Sequence, residues 1–331
     1  MRATLLALLL IPGSVLAADG GRWEEITLTD PKLHIPAPFV VRDQNALLAG
    51  FGLPTAMPTR IPLKNLSGGV DLYWGSTAIM QERGDEALLV DAETREARLT
   101  VQSSLTHTRF AWQLQLPYRY TGGGSLDSFI DSWHDTFGLP DGARSALPSD
   151  RIGIAYTRAG TRRLNIDSSA SGLGDIQAAL GYEFPLLTAW LTIKLPTGDA
   201  DKLTGSGSTD VSLVLAGQHG LGERWSVFGQ AAATHLGEGD LLSDRQRSVV
   251  WSGMAGVGVQ VWRGLSLKAQ IDAHTAVYDS DLDYLSDAVV LTVGGDYLFQ
   301  SGWRLDLGVS EDLAVEHSPD VVFVAGIKQS W

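Results

Sequence analysis

The sequence has no cysteine among its 331 residues. A chain without thiols forms no disulfides, holds no zinc through thiolates and is not a lipid-modified lipoprotein. Beyond residue 17 it also lacks any run of about 18 uncharged apolar residues, so no helical membrane anchor is expected. Positive charge is scarce, because 25 Lys and Arg stand against 38 Asp and Glu, a net charge of −13. That balance argues against a nucleic-acid partner, since nucleic acids select basic surfaces.

The first residues have the features of an export signal. Met1 and Arg2 form a short positive region, residues 3–11 are apolar, and residues 15–17 form a small-residue cleavage site. We predict a signal peptide over residues 1–17, whose removal leaves a mature chain starting near Asp19. A buried hydrophobic helix is the structural alternative for this stretch.

Apolar and polar residues alternate at period two over unusually long segments. The clearest segment places six large residues on one face: Phe110, Trp112, Leu114, Leu116, Tyr118 and Tyr120. Its length suits a tilted membrane strand of about 9–11 residues, whereas soluble strands more often have about five or six. Pro117 falls on the opposite face, where it predicts a strand end or a bulge because it cannot donate to a ladder.

The same alternation recurs through the second half of the chain, with short turns and longer acidic loops between the segments. This rhythm is typical of outer-membrane barrels. We predict an all-β fold over residues 67–331, an antiparallel up-and-down transmembrane β-barrel of about 12 strands, with 10–14 as the range. Trp331 is expected in the interfacial aromatic girdle and as an assembly signal for the barrel-assembly machinery. A soluble periplasmic β-sandwich or lectin is the alternative fold.

Two segments do not read as strands. Residues 19–66 contain six prolines, a spacing that forbids continuous ladder pairing and predicts an extended arm in the periplasm or in the lumen. Residues 125–138 place their apolar side chains on one helical stripe, with Ser125 and Gly138 as caps. This predicted amphipathic insert either gates the lumen or packs on the barrel for stability. The residues proposed for gating are Asp127, Phe129, Asp131, Trp133 and His134.

Several stretches resemble an uncharacterised family of Gram-negative outer-membrane β-barrels, a domain of unknown function. The stretches are the insert with residues 138–144, residues 172–176, residues 194–199 with 205–210, and residues 278–281. The stretch formed by residues 194–199 with 205–210 is also similar to the family labelled as MetA-pathway of phenol degradation. The resemblance covers nearly all of the mature chain. It implies an outer-membrane barrel and supplies no activity.

Charged and amide side chains fall on the non-lipid face of the predicted strands. The candidate lumen-facing residues are Arg109, Gln113, Arg119, Lys194, Lys268, Asp272, His274, Arg304 and Asp306. They either line a path for a small solute or form a salt-bridged lumen that stabilises the barrel. The glycines and aspartates of residues 198–210 match neither a phosphate-binding loop nor a calcium loop, so no cofactor or metal is expected.

Catalysis finds little support in the sequence. No Gly-x-Ser-x-Gly elbow occurs, and the lipid-facing positions are almost all apolar, which disfavours a lipid hydrolase. The expected function is passive passage or binding of a small solute, with hydrophobic solutes among the candidates. A structural or interaction protein of the outer membrane without transport is the alternative. The expected partners are outer-membrane lipid and lipopolysaccharide.

Overall fold

The computed structural model describes residues 35–61, 66–105, 108–124, 126, 151–314 and 316–331. The predicted signal peptide and all of the predicted insert except Leu126 lie outside these residues. No helix in the described part of the chain is long and apolar enough to cross a membrane. Within it the strands are β1 Leu66–Arg83, β2 Glu86–Ser104, β3 Phe110–Gly122, β4 Gly153–Arg158, β5 Thr161–Ile166, β6 Ala170–Leu173, β7 Gln177–Glu183, β8 Thr188–Lys194, β9 Asp210–Leu221, β10 Trp225–His235, β11 Val249–Trp262, β12 Leu265–His274, β13 Ala288–Leu298, β14 Arg304–Asp312 and β15 Val321–Ser330.

Twelve of these strands form a closed antiparallel barrel. Its order is β1, β2, β3 and then β7 to β15 in sequence. The closing pair is β15 with β1, in register from Ser330 opposite Ser67 to Val321 opposite Ser76. The other three strands extend the wall, because β4 continues the sheet from β2, β5 from β4 and β6 from β3. The predicted barrel of about 12 strands is confirmed, since each of the twelve strands pairs with two neighbours.

The barrel is apolar outside and polar inside. Alternate residues are exposed and apolar, among them Leu114, Leu191, Leu213, Leu267 and Leu307. Their neighbours on the same strands are buried and polar, among them Gln113, Thr192, Ser212, Lys268 and Asp306. A soluble β-sandwich would bury the leucines instead. The arrangement is that of an outer-membrane barrel, whose outward face contacts lipid.

The two ends of the barrel differ. At one, here called the turn end, the connections are short, as at residues 184–187 and 263–264. At the other, the loop end, most are longer, as at residues 195–209, 236–248 and 275–287, although only residues 84–85 join β1 to β2 there. Aromatic rings gather outside the turn end, where the Phe110 and Tyr182 ring centroids are 4.9 Å apart. In barrels of this kind the short turns face the periplasm and the loops face outward.

Pro117 coincides with an interruption of the wall. Strand β3 runs through it without ending, and the irregularity falls on the neighbouring segment, between β6 and β7. There the N–H of Gly174 donates to the Pro117 carbonyl at 2.8 Å. The missing N–H of the proline allows this neighbour to leave the ladder for three residues. Asp175, in the interruption, has a side chain that is buried inside the barrel.

Candidate functional site

Residues 35–61, here called the arm, fill the lumen. The arm enters at the turn end, where Ser226 Oγ donates to the Pro36 carbonyl at 2.8 Å. It leaves at the same end, where the N–H of Ile61 donates to Glu183 at 3.1 Å. Between these points the chain climbs to the loop end and reverses direction. The proline spacing allowed an arm in the periplasm or in the lumen. Residues 35–61 lie in the lumen.

Side chains of the barrel wall bind the main chain of the arm. Gln270 accepts a hydrogen bond from the N–H of Phe39 at 2.8 Å and donates to the carbonyl of the same residue at 3.2 Å. Gln230 makes the same kind of pair with the N–H of Met57 at 2.7 Å and the carbonyl of Thr55 at 3.0 Å. Buried main-chain groups must find partners. In the arm, inward-facing amide side chains replace the strand ladder that the prolines prevent.

Further contacts follow the same pattern along the returning half of the arm. The Trp190 indole donates to the Pro58 carbonyl at 2.9 Å. At Gly52 the N–H donates to Asp210 at 2.7 Å and the carbonyl accepts from Ser212 at 3.0 Å. These bonds address main-chain atoms, so the wall holds an extended chain with little dependence on its side chains.

Arg42 organises the reversal of the arm at the loop end. Its Nη1 donates to the carbonyls of Phe51 at 2.7 Å and Leu53 at 2.8 Å, and its Nη2 donates to the Ala49 carbonyl at 2.6 Å. One planar guanidinium can satisfy several carbonyls at fixed angles. The reversal therefore has a fixed geometry although it belongs to no helix or strand.

Loops at the loop end close over this reversal. Asn45 Nδ2 donates to the Tyr284 carbonyl at 2.8 Å, and the Tyr278 hydroxyl donates to the Leu47 carbonyl at 3.1 Å. The Phe51 and Tyr278 rings meet edge to face, with centroids 5.8 Å apart. Burial raises the pKa of the Tyr278 and Tyr284 hydroxyls well above the usual value, so both remain neutral. The result is an apolar cap on the loop end of the lumen.

A network of ions lies beneath the first half of the arm. Lys268 is fully buried, 3.1 Å from Asp296 and bonded to Asp306. Arg304 donates to Asp306 from the side of the turn end at 3.0 Å. The Lys268 ammonium also lies 3.9 Å from the centre of the Phe39 ring, a cation–π contact that links the network to the arm.

A second cluster lies at the loop end, beside the wall interruption. Lys194 Nζ is 2.8 Å from Asp175 and 3.1 Å from Asp210. It also donates to the Gly50 carbonyl of the arm at 3.2 Å. The ion cluster and the main chain of the arm therefore share one buried ammonium.

Arginines dominate a third cluster, here called the arginine cluster and formed by Arg42, Arg98, Arg119 and Glu96. Arg119 Nε lies 2.7 Å from one carboxylate oxygen of Glu96, and Arg98 bonds the other. Arg119 also donates to the Thr204 carbonyl at 2.9 Å. Arg42 of the arm lies within electrostatic range of the other three. All four side chains are buried.

A small cavity separates the arm from strands β10 to β12. Its volume is about 20 Å³, and Arg42, Asp272 and His274 are among its lining residues. His274 Nε2 lies 3.0 Å from Asp43 of the arm, and Asp272 accepts a hydrogen bond from Gln270 at 2.9 Å. The cavity is large enough for one water molecule, and a solute larger than this requires the arm to move.

The residues predicted to face the lumen are distributed as follows. The inward face carries Gln113, Arg119, Lys194, Lys268, Asp272, His274, Arg304 and Asp306. Arg109 lies in the turn before β3, and its side chain is exposed. Sequence reasoning did not single out Glu96, Arg98 or Gln230, although their alternation with outward apolar neighbours is a usable signal. The proposed gating residues Asp127, Phe129, Asp131, Trp133 and His134 lie outside the described residues.

Leu126 is the one described residue of the predicted insert. Its N–H donates to Glu93 at 3.2 Å, and its side chain packs against Val321 with Val309 and Phe323. Phe323 pairs in register with Trp74, which is exposed on the outward face of the barrel. Leu126 therefore lies outside the wall, near the closing pair of strands.

Solved structures that align with the chain include several outer-membrane proteins. The COG4313 outer membrane channel from Pseudomonas putida F1 aligns with a TM-score of 0.58 at 18% identity, covering 82% of this chain and 97% of that one. The Pseudomonas putida toluene transporter TodX aligns with a TM-score of 0.38 at 12% identity, covering 88% and 98% of the two chains. The β domain of the Bordetella autotransporter BrkA aligns with a TM-score of 0.46 at 11% identity, covering 81% and 100%.

At these identities the first of the three likenesses shows a shared fold and nothing finer. A search of curated proteins finds none that matches the chain. A family model does match, and it spans residues 32–331. The chain thus belongs to the family described as "Protein of unknown function (DUF3187)", a family of outer-membrane β-barrels.

Proposed function

We propose that this protein is an outer-membrane channel for a small solute, held closed by its own arm. The observation that carries the proposal is the way the arm is bound. Side-chain hydrogen bonds and ion clusters hold it in the lumen, and no strand pairing joins its described residues to the wall. The fold shared with a Pseudomonas putida outer membrane channel supports the same conclusion.

Hydrogen-bond energetics make this arrangement reversible. If the arm leaves, water can enter the lumen and bind the freed amides of Gln230 and Gln270. Each exchanged hydrogen bond then costs only about 0.5–1.5 kcal/mol net. The apolar cap around Phe51 and Tyr278 resists opening more strongly, because its separation exposes apolar area to water. Opening is therefore expected to start at the turn end, where the contacts are mainly polar.

The second candidate is a structural barrel without transport. The observation that favours it is the same apolar cap, which packs as a protein core does and includes Leu47, Phe51, Tyr278, Leu282 and Tyr284. In this case the arm is a permanent part of the fold, and the envelope gains a rigid, closed barrel.

A reversible crosslink separates the two candidates. A Cβ built on Gly52 lies 3.2 Å from the Lys194 Cβ and 2.8 Å from the Asp210 Cβ. A shift of the arm by a few tenths of an ångström relieves the second contact and brings the first to the usual disulfide spacing of about 3.5–4.5 Å. The double variant Gly52→Cys with Lys194→Cys has the only two thiols in the chain. In planar bilayers the oxidised protein is expected to be silent and the reduced protein to show discrete currents.

The single variant Gly52→Cys, taken through the same oxidation, is the matched control and is expected to ignore it. A variant lacking residues 35–61 is expected to conduct without interruption. Silence of the reduced double variant and of the deletion variant, both inserted in the membrane, would establish the structural candidate.

Export and assembly complete the proposal. The signal peptide over residues 1–17 directs export, and the mature chain begins near Asp19. In the same proposal, the barrel-assembly machinery recognises strand β15 and the outer loops contact lipopolysaccharide. The insert at residues 125–138 gates the lumen. The mass of the protein purified from outer membranes tests the first step, since an uncleaved amino terminus contradicts it.

A further inference from the structure

The arginine cluster carries more positive than negative charge. Three guanidinium groups, from Arg42, Arg98 and Arg119, surround the single carboxylate of Glu96. The side chains of Arg98 and Arg119 are only 2% and 6% exposed, so water screens their charges weakly. Two positive charges are left in excess at this point of the lumen.

Neighbouring groups do not remove the excess. Asp71 stands opposite Arg98 across the strand pair, but its Oδ1 is 3.1 Å from Lys328. It belongs to the network around Lys268, where three cations face three carboxylates: Lys268, Arg304 and Lys328 against Asp71, Asp296 and Asp306.

The cluster around Lys194 has one carboxylate more than it has cations. Those oxygens are already occupied by main-chain groups: Asp175 accepts from the N–H of Gly198 at 2.7 Å and of Ser206 at 3.0 Å. Asp210 accepts in the same way from the N–H of Gly52 and of Gly237. Asp43 and Asp272 line the cavity beside Arg42, but they bond His274 and Gln270 instead. The arginine cluster itself therefore keeps its positive excess.

One donor of the cluster is also unused. Arg42 is only 8% exposed, and its Nε has no hydrogen-bond partner, although both terminal nitrogens bind carbonyls. A buried guanidinium with an idle N–H is costly, and a buried positive excess adds to the cost. Guanidinium groups meet both needs best by binding a planar carboxylate or a phosphate.

We propose that the arginine cluster is a binding site for a small anion that carries a carboxylate or a phosphate group. Because the site lies in the lumen, this also names the solute class that the channel admits, a step that rests on the proposed function. Two elements of the wall supply Arg98 and Arg119, and the arm supplies Arg42. The cavity beside Arg42 holds one water molecule, so the anion binds as the arm shifts from the wall, and its charge then bridges Arg42 to the two wall arginines.

Binding is tested on the full-length protein in detergent, without any need for conduction. The midpoint temperature of unfolding is followed while inorganic phosphate or acetate is added, with chloride at equal ionic strength as reference. A ligand that binds only the folded state raises this temperature along a saturating curve. We expect saturation with phosphate or acetate, and a dissociation constant about tenfold weaker in Arg119→Gln and in Arg98→Gln.

The matched control is Lys202→Gln, which removes one positive charge from an exposed loop pair with Asp199. It is expected to bind as the wild type does. Equal, unsaturable responses to all three anions would overturn the proposal. So would unchanged affinity in both arginine variants, each of which leaves Glu96 with one arginine partner and is expected to fold.

A second measurement separates this proposal from the proposed function. Reversal potentials across a KCl gradient are recorded with the protein that lacks residues 35–61 and with its Arg119→Gln derivative. Anion preference that falls in the derivative supports both proposals. Currents without preference overturn the anionic solute class alone, and silence together with saturable binding overturns the channel alone.

Discussion

Gln270, on strand β12 of the wall, forms hydrogen bonds with both main-chain groups of Phe39, a residue 231 positions earlier in the chain. One amide side chain accepts from the N–H and donates to the carbonyl, as the next strand of a sheet would. Side chains of the wall therefore take the place of the neighbouring strand in binding the main chain of the arm. This relationship explains how a proline-containing segment can lie buried in a barrel without unsatisfied peptide groups at that point.

Removal of that amide is expected to loosen the arm. The variant Gln270→Leu leaves the N–H and carbonyl of Phe39 buried without partners, at about 1–3 kcal/mol for each group. Urea unfolding in detergent should show the loss of stability, and the Phe39 amide should exchange with deuterium faster. Gln115→Leu is the matched control, because Gln115 donates to Gln113 of the wall and not to the arm. Equal effects of the two substitutions would contradict the role assigned to Gln270.

Lys268 is expected to be essential to the balance of charge under the arm. Lys268→Met removes a fully buried cation between Asp296 and Asp306, and breaking a buried pair from one side costs about 3–5 kcal/mol. The double variant with Asp296→Asn should recover a large part of that loss, because fewer uncompensated carboxylates remain. The measurement is again urea unfolding. A single variant as stable as the wild type would show that water already screens this network.

Gly50 is expected to tolerate no side chain. A Cβ at this position lies 2.6 Å from the carbonyl carbon of Gly205 and 2.9 Å from the nitrogen of Ser206. Gly50→Ala should therefore push the reversal of the arm away from the loop at residues 195–209, at about 1–3 kcal/mol.

Faster amide exchange over residues 46–52 would report this displacement, together with more frequent opening in bilayers. Gly153→Ala is the control, because its nearest neighbouring atom is 3.7 Å from the built Cβ. If the Gly50 variant keeps wild-type exchange, the loop must yield instead of the arm.

Trp331 is expected to matter for assembly through its place at the closing strands. Its N–H donates to the Leu66 carbonyl at 2.8 Å, and its ring lies over Gly68. Trp331→Asp should lower the yield of heat-modifiable protein in the outer-membrane fraction. Trp262→Asp alters a similarly exposed tryptophan at the same end of the barrel, away from the closing pair. Equal losses in both variants would mean that depth in the membrane, and not closure, is responsible.

The sequence by itself determined the barrel, its approximate strand number and the two faces of its wall. Period-two alternation is a local property, because successive side chains of a strand point to opposite sides whatever the strand pairs with. The neighbours Leu114 and Gln113 are therefore enough to predict which face of β3 contacts lipid and which faces the lumen. Alternation does not mark the residue at which a strand begins. It therefore did not show that Arg109 lies in the turn before β3.

Only the tertiary structure decided what the inward residues do. Prolines in the arm predict that it does not pair as a strand, but they do not predict which groups bond its N–H and carbonyl groups. Those partners, Gln230, Gln270 and Trp190, lie more than a hundred residues away. Closure of the barrel and reversal of the arm brought Arg42 to Arg98 and Arg119, and Asp43 to His274. Contacts of such long range leave no local pattern, because they depend on the position of the whole wall around the arm.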